Sequence, residues 1–193
     1  MKKMERGGLS KFLLSSLLLL IVASCSVKEE SKKEEEESKG LVSPAPFFSA
    51  DSCYFYIQQQ LSFGPRVPNT PPHDSCGDFL IAHMKNVAHN VRVQKAQVNA
   101  YDGKKLNIRN IIGEFFPDKQ IRILLCAHWD TRHVADSDTS GKDKPIPGAS
   151  DGASGVAVLM EIARQMKIVP PPVGVDIILF DAEDYGNPGE SLY

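Results

Sequence analysis

The stretch PGASDGASGVAVLMEIAR, residues 147–164, places a single acid, Asp151, between two clusters of small residues and directly before an apolar pattern. The apolar residues recur at helical spacing, which predicts a helix over 152–167. Five of them share one side of this helix: Val156, Leu159, Met160, Ala163 and Met166. The small residues leave the carboxylate of Asp151 uncrowded, and the positive end of the helix dipole favours an anion there. Asp151 is therefore a candidate metal ligand.

A nearly continuous apolar run lies on each side of this helix in the sequence. The first, RILLCAH, covers residues 122–128, and the second, VDIILF, covers residues 175–180. Such runs are typical of strands that are covered on both faces, and Cys126 in the first run is expected to be a small core residue. The order strand, helix, strand indicates an α/β sandwich with a parallel central part.

The residues upstream predict two helices and a hairpin. In order, the patterns are a helix over 49–64, a proline-rich loop over 64–73, a second helix over 74–88, and strands over 91–101 and 106–116. Ser49 or Asp51 can cap the first helix, and Gly64 with Pro65 ends it. The turn sequence DGKK joins the two strands. Because only four strands are predicted, we expect an unfinished sheet and a sequence that is the N-terminal part of a longer protein.

The N-terminal segment has the composition of an export signal followed by a tether. Basic residues precede an apolar run of about 12 residues that ends in VASC, which is typical of a secretory signal and too short to cross a bilayer easily. VASC resembles a bacterial lipobox, so we expect a lipoprotein signal peptide over 1–24 and lipidation of Cys25. The charged segment 25–43 is expected to be a disordered tether, which leaves 44–193 for one domain.

Composition restricts the function classes and the compartment. The chain has 193 residues, of which 42% are hydrophobic, enough for one sizeable core. A net charge of −2 gives no basic footprint for nucleic acid. The export signal places the protein in the bacterial cell envelope, facing the periplasm or the cell surface and attached to a membrane through its lipid only. That oxidising location permits a disulfide between Cys53 and Cys76, and the sequence leaves this pairing open.

Three polar clusters fall where the predicted strands end or the helix begins. His128 and Asp130 follow the first buried strand, and Glu183 with Asp184 follows the second. In open α/β sheets ligands bind outside the carboxyl ends of strands, so these clusters are expected to meet around Asp151. Each cluster alone would be an ordinary histidine, helix cap or solvated loop. Together they provide zinc ligands and, in Glu183, a general acid or base beside them.

The motifs AHWDTR, GASDGASGVAVLMEIAR and FDAEDYG, in this order, resemble the zinc-dependent aminopeptidase superfamily. Within it the sequence is most similar to the bacterial glutaminyl-peptide cyclotransferases. The stretch LSFGPRVPNTPPH, residues 61–73, resembles their N-terminal region and is much less typical of aminopeptidases. The resemblance covers residues 49–193. It implies a three-layer α/β sandwich with a central mixed, mostly parallel sheet flanked by helices, here truncated at its C-terminal side.

The resemblance also implies a role for each residue of the polar clusters. Asp151 matches the family's zinc aspartate, Asp184 its second acidic ligand, and Glu183 the glutamate that moves protons. His128 matches a zinc ligand of the two-metal aminopeptidases, but it need not bind metal in the cyclotransferases, which hold one zinc ion. Asp130 would orient His128.

Two departures from the family pattern affect the metal site. The aminopeptidases usually carry Glu-Glu where this chain has Glu183 and Asp184. Aspartate is shorter but remains a hard oxygen donor, so ligation by Asp184 is still expected. The family's last zinc histidine corresponds to a position beyond Tyr193. Residues 1–193 are therefore expected to lack a complete site.

The cyclotransferase resemblance implies a peptide or protein substrate with N-terminal glutamine. The substrate's α-amine would attack its own side-chain carbonyl, polarised by zinc, while Glu183 takes a proton from the amine and returns it to the departing ammonia. The alternative is a zinc aminopeptidase that uses two metal ions and a bridging water activated by Glu183. A third possibility is an inactive, lipid-anchored binding module.

Overall fold

The computed structural model of the protein describes residues 47–188. The predicted signal peptide, the tether and Cys25 lie outside the described residues. The elements are, in chain order, α1 (Ala50–Ser62), α2 (Pro71–Val87), β1 (Asn90–Asn99), β2 (Lys105–Phe115), β3 (Arg122–His128), α3 (Gly155–Ile168) and β4 (Gly174–Phe180). Within residues 47–188, no helix has the length and apolar character needed to span a membrane.

The four strands form one mixed sheet in the order β1-β2-β4-β3. Strands β1 and β2 form the predicted antiparallel hairpin, and β2 also pairs antiparallel with β4. Strands β3 and β4 are parallel, with His128 opposite Phe180 at their carboxyl ends. Helix α3 connects this pair, as the strand, helix, strand order predicted. The mixed α/β sheet with helices against it is therefore confirmed.

The core lies between the helices and one face of the sheet. On β4 the core-facing residues alternate along the strand, as expected for a period of two. The buried apolar residues of α3 and β4 in this core are Val156, Leu159, Met160, Ala163, Met166, Val175, Ile177 and Leu179. This set contains all five residues that the helical spacing assigned to the apolar side of the helix. The helix itself begins at Gly155, three residues later than predicted.

The two upstream helices begin at side-chain caps. The hydroxyl of Ser49 accepts a hydrogen bond from the amide of Ser52, so Ser49 is the cap of α1. Helix α2 begins at Pro71, within the segment predicted to be a loop. Thr70 caps it, and proline fits the first turn of a helix because the amide it lacks has no intrahelical partner there. Cysteines 53 and 76 are both buried and unpaired, so the structure contains no disulfide between them.

Strand β3 is not covered on both faces, contrary to the prediction. It is one of the two edge strands among the four described strands. Leu124 is 58% exposed, and Cys126 is exposed rather than a core residue. Both lie on the face of the sheet opposite the helices, where residues 47–188 provide no third layer. An apolar run indicates that a strand is to be covered, but it does not say which part of the chain covers it.

Candidate metal centre

The predicted polar clusters converge at the carboxyl ends of β3 and β4. Histidine 128 lies at their centre. Its Nε2 is 2.7 Å from Oδ1 of Asp151, and its Nδ1 is 3.4 Å from Oδ1 of Asp130. Oε2 of Glu183 lies 3.8 Å from the same Nδ1. The topology thus brings together residues that are up to 55 positions apart in the chain, since the parallel pairing of β3 and β4 aligns their ends.

Asp130 connects the first cluster to the last. Its side chain is fully buried, and its two carboxylate oxygens accept hydrogen bonds from the backbone amides of Glu183 and Asp184, each 3.1 Å long. Hydrogen bonds to a charged acceptor are stronger than those between neutral groups. Asp130 therefore fixes the loop that carries the two acids, in addition to lying beside His128 as the sequence predicted.

Asp151 lies in a wide turn, Ala149–Ser154, that precedes α3. Its backbone is extended, with φ −111° and ψ 105°, and its peptide bond to Gly152 is cis. The segment packs closely against β3, because a Cβ on Gly152 would lie 2.3 Å from the carbonyl oxygen of His128. Only glycine fits at this approach. The small residues around Asp151 thus allow the turn to contact the strand end.

Burial and neighbouring charges shift the pKa of two groups of this site, Asp184 and His128. Burial, followed by the charges of Asp151 and Asp130, raises the pKa of Asp184 to about 6. Its Oδ2 is buried and has no hydrogen-bond partner among the described residues. The carboxylate of Asp130 and then that of Asp151 raise the pKa of His128 to about 9, against the effect of burial. Several negative charges therefore lie near Oδ2 of Asp184, an atom that accepts no hydrogen bond from the described residues.

This arrangement fits a divalent cation in part. Zinc binds carboxylate oxygens, and a cation would satisfy Oδ2 of Asp184 and relieve the repulsion from Asp151. Within residues 47–188, however, no three His, Cys, Asp or Glu side chains form a group that could hold a metal ion by themselves. The described residues thus supply two candidate ligands, and a complete site needs at least one more from elsewhere.

Several buried polar residues around the site escaped the sequence analysis. Nε2 of His73 lies 2.8 Å from Oδ1 of Asp181, and both side chains are buried. The ring of His73 also stacks on Trp129, with centroids 4.4 Å apart. This pair joins α2 to the end of β4. Asp181 could have been recognised from its position two residues before Glu183. His73 lies in the segment that the sequence predicts to be a loop.

The arginine of the upstream motif was also missed. Arg66 is fully buried and donates hydrogen bonds to three backbone carbonyls near the site.

His133 packs among aromatic residues beside the site. The hydroxyl of Tyr101, in the turn of the β1–β2 hairpin, lies 3.0 Å from Nε2 of His133. The ring of His133 stacks on Tyr185, with centroids 4.1 Å apart. His133 thus contacts aromatic residues at the rim of the site.

The model of peptidase family M28 matches residues 110–193. This segment is therefore similar to the domain of peptidase family M28. The match contains β3, α3 and β4 with every residue of the three polar clusters. It confirms the resemblance that the three motifs predicted.

Similar solved structures include both cyclases and peptidases. A glutaminyl cyclase from Tannerella forsythia has 52% identity and a TM-score of 0.73, over 75% of this chain and 50% of that one. A leucine aminopeptidase precursor from Bacteroides thetaiotaomicron has 49% identity and a TM-score of 0.75, over 78% of this chain and 52% of that one. The chain thus spans about half the length of these structures.

A curated relative is an aminopeptidase. The aminopeptidase YwaD of Bacillus subtilis is 45% identical over 89 residues, which are 44% of this chain and 17% of YwaD. The match to family M28 and the similar structures therefore support an enzyme of the zinc-peptidase kind. Similar proteins are named for more than one reaction.

Proposed function

We propose that the protein is a zinc-dependent glutaminyl-peptide cyclotransferase, which converts the N-terminal glutamine of a peptide or protein to pyroglutamate and releases ammonia. One observation carries the proposal: Asp130 holds the amides of Glu183 and Asp184 together. This contact supports a pairing of the proposed proton-transferring acid, Glu183, with the proposed metal ligand, Asp184. The 52% identity to the Tannerella forsythia glutaminyl cyclase supports the choice of reaction.

Asp151 and Asp184 are the described residues that would hold the metal. Both offer carboxylate oxygens, and the unpartnered Oδ2 of Asp184 is free to accept a cation. We propose one zinc ion, with His128 as a ligand only in a two-metal site. When bound, the ion would supply a Lewis acid that polarises the side-chain carbonyl of the substrate's N-terminal glutamine.

Glu183 is the proposed catalytic acid and base. Its side chain is 64% exposed, so a substrate can reach it, while its backbone is held by Asp130. Its carboxylate accepts the proton that the substrate's α-amine loses as the lactam nitrogen–carbon bond forms. It then donates this proton to the amide nitrogen that leaves as ammonia. The nucleophile belongs to the substrate, so the protein needs to orient one molecule rather than two.

A zinc aminopeptidase is the second candidate. The similarity to the leucine aminopeptidase precursor and to YwaD favours it. In that reaction Glu183 would accept a proton from water, and His128 would bind a second metal ion. The two candidates differ in their products, because cyclisation releases ammonia and hydrolysis releases a free amino acid.

The proposed function is tested with two peptides that differ only in their first residue, glutamine or leucine. The test uses the mature protein with any polypeptide that follows Tyr193. We expect ammonia and a pyroglutamyl product from the glutamine peptide, no reaction with the leucine peptide, and loss of both products after zinc removal. Release of free leucine would refute the cyclotransferase and establish the aminopeptidase.

We also propose that Cys25 is lipidated and that residues 25–43 tether the domain to a membrane. The VASC motif supports this proposal. Metabolic labelling with a radioactive fatty acid should label the protein, and Cys25→Ser should abolish the label. A labelled Cys25→Ser protein would contradict the anchor.

A further inference from the structure

Arg66 lies in the loop between α1 and α2, inside the stretch 61–73 that resembles the N-terminal region of the cyclotransferases. Its side chain is fully buried. Nε donates to the carbonyl of Trp129 at 3.0 Å, Nη1 to that of Pro147 at 2.9 Å, and Nη2 to that of Gly148 at 2.8 Å. The guanidinium thus joins the segment after β3 to the segment before Asp151.

The backbone of Arg66 makes a further contact with the same region. Its carbonyl oxygen accepts a hydrogen bond from the amide of Thr131, at 3.2 Å. Arg66 therefore contacts the residues on both sides of Asp130, with its side chain on Trp129 and its main chain on Thr131. Arg66 thus contacts the segments of Asp130 and Asp151 directly. It acts on the loop of Glu183 indirectly, because Asp130 accepts a hydrogen bond from the amide of Glu183.

The chemistry of these contacts requires a guanidinium. Its planar fork points three donors in fixed directions, whereas a lysine ammonium is a compact charge that could not reach all three carbonyls in the same geometry. Burial disfavours the charged form and lowers the pKa of Arg66. The protein therefore buries this charge against the effect of desolvation and uses it to bind backbone carbonyls. This indicates that the relative position of the two segments matters.

We propose that Arg66 is a positioning residue for the zinc site. It sets the separation between the segment of Asp130 and the turn of Asp151, and through them the placement of the carboxylates that hold the metal. This inference rests on the proposed function, because it requires that the site binds zinc. It also gives the motif at residues 61–73 a physical role.

Arg122 provides a matched control. It is partly buried and, like Arg66, donates to backbone carbonyls, those of Phe115, Phe116 and Val175. It lies at the first residue of β3, whereas His128 is the last. At about 3.3 Å per residue, the two ends of this strand are about 20 Å apart. Changing either arginine should lower the stability of the protein. Only a change of Arg66 should weaken the binding of zinc.

The experiment measures zinc affinity by chelator competition, and the visible absorption spectrum of the cobalt-loaded protein. It compares the mature full-length wild type with Arg66→Ala, Arg66→Lys and Arg122→Ala, and records the thermal midpoint of each. We expect both Arg66 variants to bind zinc about 10- to 100-fold more weakly and to give altered cobalt spectra. Millimolar guanidinium should restore the affinity of Arg66→Ala alone, and Arg122→Ala should match wild type in affinity and spectrum.

The outcomes separate this inference from the proposed function. If the wild type binds zinc and Arg66→Lys binds it equally tightly with an unchanged cobalt spectrum, the inference is overturned and the proposed function stands. If Arg66→Ala does not fold, Arg66→Lys alone decides in the same way. If the wild type binds no zinc, the proposed function fails, and this inference fails with it.

Discussion

Replacing Asp130 with asparagine perturbs the contact on which the site depends. In the native protein the two carboxylate oxygens accept one hydrogen bond each from the amides of Glu183 and Asp184. Asparagine has the same shape but only one side-chain oxygen. Its amino group would face one of the two amides, donor against donor, so the loop of Glu183 would lose one of its two attachments.

The magnitude follows from the burial of this carboxylate. A hydrogen bond to a charged group contributes about 1.5–3 kcal/mol, and a buried donor left without a partner costs a similar amount. A neutral amide is less costly to bury than a carboxylate, which offsets part of the loss. We therefore expect Asp130→Asn to lower the free energy of unfolding by about 2 kcal/mol.

Urea unfolding of the mature full-length protein measures this change. Asp138→Asn is the control, since it removes the same charge from an exposed position in the loop after β3. Surface substitutions change stability by no more than about 0.5 kcal/mol. If Asp130→Asn is as stable as Asp138→Asn, the hydrogen bonds from the two amides to the carboxylate do not stabilise the fold, and the expected loss is wrong.

Three further predictions concern other residues. Glu183→Gln should reduce the rate of cyclisation by about 10²- to 10⁴-fold in an ammonia assay, with zinc content and thermal midpoint unchanged because the side chain is exposed. The guanidinium of Arg164 lowers the pKa of Glu161 from 4.5 to about 2. Stability from this carboxylate is complete above pH 4.5 and is lost as the pH falls toward 2, so the advantage of wild type over Glu161→Gln in thermal midpoint should shrink across that range. Gly152→Ala should cost about 1–3 kcal/mol in urea unfolding, since its methyl group would overlap the carbonyl of His128; an unchanged midpoint would contradict the close packing there.

The sequence predicted those parts of the fold that local patterns determine. Helical spacing identified the buried side of α3, and apolar runs located β3 and β4. The strand ends then indicated where His128, Asp130 and the acids after β4 would meet, because parallel strands align their carboxyl ends. These inferences need only the pattern within each element and the order of the elements along the chain.

The remaining features depend on contacts between distant segments. The exposure of Leu124 and Cys126 depends on what lies beside β3, which its own composition does not contain. Arg66 and His73 act through partners more than 60 residues away along the chain. A buried arginine in a proline-rich stretch has no periodicity that marks it. Such residues become visible only when the segments they join are placed together.

Cyclisation and hydrolysis differ in whether an oxygen atom from water enters the product. A glutamine-initiated peptide is incubated with the mature full-length enzyme in ¹⁸O-labelled water, and the products are weighed by mass spectrometry. Intramolecular cyclisation adds no water, so the account predicts a product lighter by one ammonia and free of label. Free glutamine carrying ¹⁸O in its carboxylate would contradict the account and identify a hydrolase.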